Sequence, residues 1–151
     1  MEGNNMNTIW NWLRGAFAAV GAGLGYFLGG CDGFLYALIA FVVIDYLTGV
    51  MCAVVDKTLS SSVGFKGIFR KILIFVMVGI GHTLDAQVLG GGDTLRTAVI
   101  FFYCANEGLS LIENAGHLGL PIPEKLKGIL AQLHDRATDT TDKEDSDGKS
   151  E

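Results

Sequence analysis

Charge is scarce in this sequence. Only 18% of its 151 residues are Asp, Glu, Lys or Arg, against 50% that are hydrophobic, a balance that points away from a water-soluble domain and toward a membrane protein. The net charge of −5 is mostly local, because residues 137–151 hold six acids against Lys143 and Lys149 and leave the remainder near neutral. No basic patch interleaved with aromatics occurs, so nucleic-acid binding has no electrostatic footprint. Cysteine is equally sparse: Cys31, Cys52 and Cys104 are odd in number and lack CxxC spacing, which argues against a disulfide framework or a zinc site and for small buried hydrophobes. No metal-ligand pattern such as HExxH appears, and no Ser, Cys or Lys nucleophile lies near a plausible base. Neither catalysis nor a metal or cofactor is therefore expected.

What the chain has instead is apolar length. Four stretches stand out, at about residues 15–30, 33–55, 72–89 and 97–112. The second has one charge in 23 residues and spans roughly 34 Å at about 1.5 Å per residue, enough to cross a hydrocarbon core of about 30 Å. Its twelve Leu, Ile, Val and Phe residues, at about −0.3 to −0.6 kcal/mol each, outweigh the roughly +2.5 to +3.5 kcal/mol of its one acid. The fourth has only seven such residues and carries Asn106 and Glu107, so it needs neighbours to stay in lipid. The expected fold is all-α: an integral membrane domain over residues 1–120 with about four transmembrane helices, or three if the short, glycine-rich first stretch does not cross. A short amphipathic helix over 121–136 and a disordered acidic tail over 137–151 should follow.

Basic residues set the expected orientation. Lys57, Lys66, Arg70 and Lys71 fall in the connection between the second and third stretches, which should face the cytoplasm. Four spans then place both termini on that side, consistent with Arg14, Lys125, Lys127 and Arg136; Arg96 alone dissents. Trp10 and Trp12 suit an interfacial belt. After the last span, Pro121 and Pro123 stop the membrane helix, and Leu126, Ile129, Leu130 and Leu133 recur at helical spacing on one face, suited to a membrane surface or to a copy of itself. Leu28-Gly-Gly-Cys31 has the form of a lipoprotein cleavage box, although a second apolar span, not an exported domain, follows it at once.

Two sets of residues ask for a role. Gly21, Gly25 and Gly29 form a doubled GxxxG repeat, which lets a helix approach either the second span or another copy. Asp45, His82 and Glu107 each lie about 15–18 Å from the end of their apolar stretch, near the bilayer midplane where ionisable groups pair with one another or face water. By depth, Asp45 and His82 are the expected pair. Asp85 shares the face of His82, and Ser110 and Asn114 share that of Glu107. Three roles are open to this cluster: a static network that fixes helix packing, a polar lining wetted on assembly, or, as the remainder, an ion or proton pathway or a metal or catalytic site, for which His82-x-x-Asp85 with a distant Glu107 is poor evidence.

From about Leu38 to Leu133 the chain resembles the toxin-secretion and phage-lysis holin family. The likeness is carried by Asp45-Tyr-Leu-Thr48-Gly49, by Ser62-Val-Gly-Phe-Lys-Gly67 with Arg70-Lys71, and by His82-Thr-Leu-Asp85. The most specific part is Asn106-Glu-Gly-Leu-Ser110-Leu-Ile-Glu113-Asn114 with Gly119-Leu-Pro-Ile-Pro123. The resemblance implies a phage or prophage protein that accumulates in the host cytoplasmic membrane as a homo-oligomer and permeabilises it, releasing an endolysin or a toxin as functional partner. Asp45, Thr48, His82, Asp85, Asn106, Glu107, Ser110, Glu113 and Asn114 would then be assembly and lining residues, with Gly49 packing helices beside the glycine repeat. A small ion or proton channel or transporter, and a membrane scaffold without permeability function, are the competing readings.

Overall fold

A computed structural model describes the backbone of residues 2–129 and of Gln132. Four long helices follow one another: α1 (Glu2–Phe27), α2 (Gly33–Val55), α3 (Ser61–Gln87) and α4 (Thr94–His117). Residues 124–129 form a further short helical stretch, and no strand occurs among the described residues. Leu130, Leu133 and the acidic tail lie outside them. Among the described residues three helical segments are long and apolar enough to cross a membrane: Gly33–Val55, Gly64–Gln87 and Thr94–His117. The protein is thus an all-helical membrane protein in which α1, although 26 residues long, falls short of that apolar standard.

The boundaries have local causes. The carboxylate of Asp32 accepts a hydrogen bond of 2.8 Å from the Leu35 backbone N–H, capping α2 at the start of its apolar run. By contrast α3 begins at Ser61, eleven residues before the stretch expected from Ile72, since Lys and Arg are good helix formers and the helix runs unbroken through 61–71. Of the four basic residues expected in a loop, only Lys57 is in the connection; Lys66, Arg70 and Lys71 ride on α3. Helix α1 ends at Phe27, before Gly29, whose φ of +78° turns the chain into α2. Gly29 therefore does not continue a helical glycine face.

Helix α2 packs along α4, and α4 along α3, whereas α2 and α3 touch little. Leu35, Leu38, Val42, Ile74, Val78 and Ile100 form the core. It fills the half of the bundle nearest the α3–α4 turn, leaving α2 and α3 splayed toward the α2–α3 connection. Outside the core the surface is oily: Phe34, Val43, Leu47, Leu73 and Phe101 are among many exposed apolar side chains. A water-soluble monomer rarely carries so continuous a patch, whereas lipid covers it without cost. Helix α1 projects from this body, joined mainly through Phe27, whose ring lies where a Cβ on Gly79 would be, at 2.0 Å.

Candidate functional site: a mid-span ionic cluster and a turn clasp

Each of the three spanning helices contributes one charged residue to a single cluster. Lys71 of α3 donates from Nζ to Asp45 Oδ2 of α2 at 2.6 Å and to Glu107 Oε2 of α4. Asp45 and Glu107 are 7% and 6% exposed, so these charges are almost wholly withdrawn from their surroundings. Asp45 lies 12 residues into α2 and Glu107 13 residues into α4, close to the middle of both helices. Parallel α2 and α4 bring these levels together, and antiparallel α3 crosses at Lys71. One cation facing two acids in a low-dielectric setting holds the three helices in register, and removing it would leave two buried carboxylates in contact.

A polar fringe completes the cluster. Asn114 Nδ2 donates to Asp45 Oδ1 and to Thr48 Oγ1, both at 3.1 Å, while the Thr48 hydroxyl donates back to the Asp45 carbonyl at 3.0 Å. Cys52 Sγ contacts the Asn114 carbonyl at 3.5 Å. Gly49 offers Asn114 room at ordinary van der Waals distance, 3.7 Å from the place of a Cβ. Asp45, Gly49 and Asn114, with Asn106 and Ser110, line a cleft of about 670 Å³ where α2 and α3 diverge, walled also by Tyr46, Gly64, Gly67, Arg70 and Tyr103. Glu113 takes no part and is exposed on another face of α4. At the mouth of this end, His117 Nε2 and Asp56 Oδ1 lie 2.9 Å apart.

His82 and Asp85 are elsewhere. Because α3 starts at Ser61 and stops at Gln87, His82 is only five residues from its end, and the expected Asp45–His82 pair does not form. The His82 ring lies against Gly29, with Nδ1 4.0 Å from Asp93 Oδ1; among the described residues it is the buried side-chain nitrogen without a hydrogen-bond partner. Asp85, 1% exposed, accepts from the backbone N–H groups of Leu95 at 3.1 Å and Arg96 at 2.9 Å. It thus caps α4 from a neighbouring helix, where the local Asp93 makes no side-chain cap.

Arg96 is the centre of this second site. It is 1% exposed and donates to the carbonyls of Leu28 and Gly30, at 2.6 and 3.1 Å, and to Asp32 Oδ2 at 2.6 Å. The Arg96 guanidinium holds the Asp32 carboxyl below its ordinary value of 3.8, helped by the Leu35 N–H. This clasp ties the α1–α2 turn to the start of α4. It also accounts for the one basic residue at odds with the charge rule, since a guanidinium spent on two carbonyls and a carboxylate is no free positive charge.

Sequence reasoning placed Lys71 only in a basic loop and Arg96 only as an exception to the charge rule, and it did not single out Asp32. A signal existed for Lys71: on antiparallel helices joined by a tight connection, it falls level with Asp45. The Gly21 and Gly25 faces are open, with nothing within 4 Å of a Cβ at either position, so α1 does not pack them against α2. Among the described residues no three His, Cys, Asp or Glu side chains gather as a metal would require.

These features define a small helical membrane protein whose spans are fastened by a buried ionic cluster. Comparison with known proteins agrees: residues 22–135 match the bacteriophage holin family, and the chain belongs to it. An uncharacterised protein of Listeria innocua is 41% identical over 135 residues, covering 89% of this chain and 96% of that one. An uncharacterised 14.9 kDa protein from the nagH 3′ region of Clostridium perfringens is 38% identical over 131 residues, 87% and 99% of the two chains. A probable holin of Bacillus phage phi105 is 32% identical over 112 residues, 74% and 82%. No solved structure matches the chain significantly.

Proposed function

We propose that the protein is a working holin: copies gather in the host cytoplasmic membrane and open lesions through which an endolysin, or a toxin, passes. The observation that carries this reading is the Asp45–Lys71–Glu107 cluster, set at mid-span beside a polar cleft in a chain of the holin family. Ionisable groups at that depth are tolerated while paired, and they become a ready polar lining once helices separate and neighbours exclude lipid. Asp45, Lys71 and Glu107 act in assembly and lining, not catalysis, and Asn106, Ser110 and Asn114 extend the same polar wall.

The α2–α3 connection, with Lys57 in it and Lys66 and Arg70 just beyond, faces the cytoplasm in this account, as does the C-terminus. The N-terminus shares that side if α1 crosses as a fourth span; a reporter fused there reads this directly. The reading is tested by expressing the chain in a bacterium with and without a cytoplasmic cell-wall hydrolase. Rapid lysis is expected only when both are present. Ion leakage without release of the hydrolase would favour a small channel, and an intact membrane would favour a scaffold.

A further inference from the structure

Helices α2, α3 and α4 contain eight Asp, Glu, Lys and Arg residues, and five of them, Asp45, Lys71, Asp85, Arg96 and Glu107, are spent in the contacts described above. The other three, Lys66 and Arg70 on α3 and Glu113 on α4, are exposed and make no hydrogen bond or ion pair among the described residues. Their depths match. Glu113 precedes the last residue of α4 by four positions, about 6 Å along the axis, and Lys66 follows the first residue of α3 by five, about 7.5 Å, at the same end of the bundle. Arg70 is one turn deeper, within reach of that level through its long side chain. Within one copy the opposite charges do not meet, because α4 turns Glu107, Ser110 and Asn114 to the cleft and Glu113 elsewhere.

We propose that they meet between copies: Glu113 of one chain pairs with Lys66 and Arg70 of the next. Exposed charges near the end of a membrane helix are relieved by an opposite charge at equal depth on a neighbour, since ionisable groups in such helices pair with one another. The patches are unlike, so one contact leaves an acid free on one copy and two bases free on the other, and the same contact adds further copies. This inference rests on the reading that the protein works as an assembly, and it names the contact that would build it.

Energy transfer between fluorescently tagged full-length copies in the membranes of expressing cells tests the pairing. Glu113→Arg alone, and Lys66→Glu with Arg70→Glu, should each lower association about fivefold or more, and all three changes together should restore it to within about twofold. Glu113→Gln, which introduces no new charge, should give a partial loss. If the unaltered chain shows no association, this inference falls together with the holin-assembly reading. If the unaltered chain associates, but the reversals and Glu113→Gln leave association unchanged, or the triple variant does no better than the single reversals, only the pairing is overturned. Capture of anionic lipid by Lys66 and Arg70 would appear as that second failure, a loss on their reversal that Glu113→Arg does not repair.

Discussion

Lys71 is the residue on which the register of three helices depends. Replacing it with Met keeps the volume but leaves Asp45 and Glu107 buried and unpaired, so the folded chain should lose about 3–5 kcal/mol, read from unfolding in mixed detergent followed by helix content. Neutralising one acid, as in Glu107→Gln or Asp45→Asn, leaves Lys71 a partner and costs less. Either change should nevertheless shift the onset of lysis in expressing cells, and unchanged onset with normal accumulation would contradict a role for these groups in assembly. Glycine separates two kinds of position. At Gly29 an Ala would meet His82 Nδ1 at 2.6 Å with φ at +78°, which should cost about 1–3 kcal/mol. At Gly21 and Gly25, helical and open, Ala should stabilise a single chain by up to about 1 kcal/mol each.

Helix α1 is held to the other three by a small contact and a clasp. Gly79→Ala would drive a methyl into the Phe27 ring, and adding Phe27→Ala should relieve much of the loss, with a coupling of about 0.5–3 kcal/mol in a double-mutant cycle. The Asp32–Arg96 pair adds a pH dependence. Asp32 has a folded value below 3.8, so its contribution to stability is fully present above that value and drains away as pH falls below it. The contribution is modest, because the Asp32 side chain is 43% exposed. The unfolding midpoint of the unaltered chain should decline as pH falls toward about 2–3, and Asp32→Asn should flatten that decline.

Elements were legible where hydropathy and helix coincide. Helix α2 runs from Gly33 to Val55 as its apolar composition implies, because the lipid-crossing run and the hydrogen-bonded run are the same residues. For α3 the start expected at Ile72 falls eleven residues after the helix begins, and misplacing that start carried two further errors with it. Lys71 became a loop residue instead of the partner of Asp45, and His82 was moved from the helix end to mid-depth. Arg96 and Asp32 meet across 64 positions, and Asp85 caps α4 from across the α3–α4 turn, neither of which local periodicity encodes. The alignment of Glu107, Ser110 and Asn114 on one face of α4 was readable, since helical spacing alone requires it.

For the molecule as a whole, an oily exterior, a mid-span ionic cluster beside a polar cleft, and charges at matched depth that are unpaired among the described residues support the proposed meeting of copies in lipid. The size of what then crosses the bilayer separates a holin from a channel. Purified protein reconstituted into vesicles loaded with a folded cell-wall hydrolase and a small fluorescent dye tests this most directly. The account predicts that above a threshold protein-to-lipid ratio both cargoes escape together and abruptly. Escape of the dye with the hydrolase retained at every ratio would contradict it.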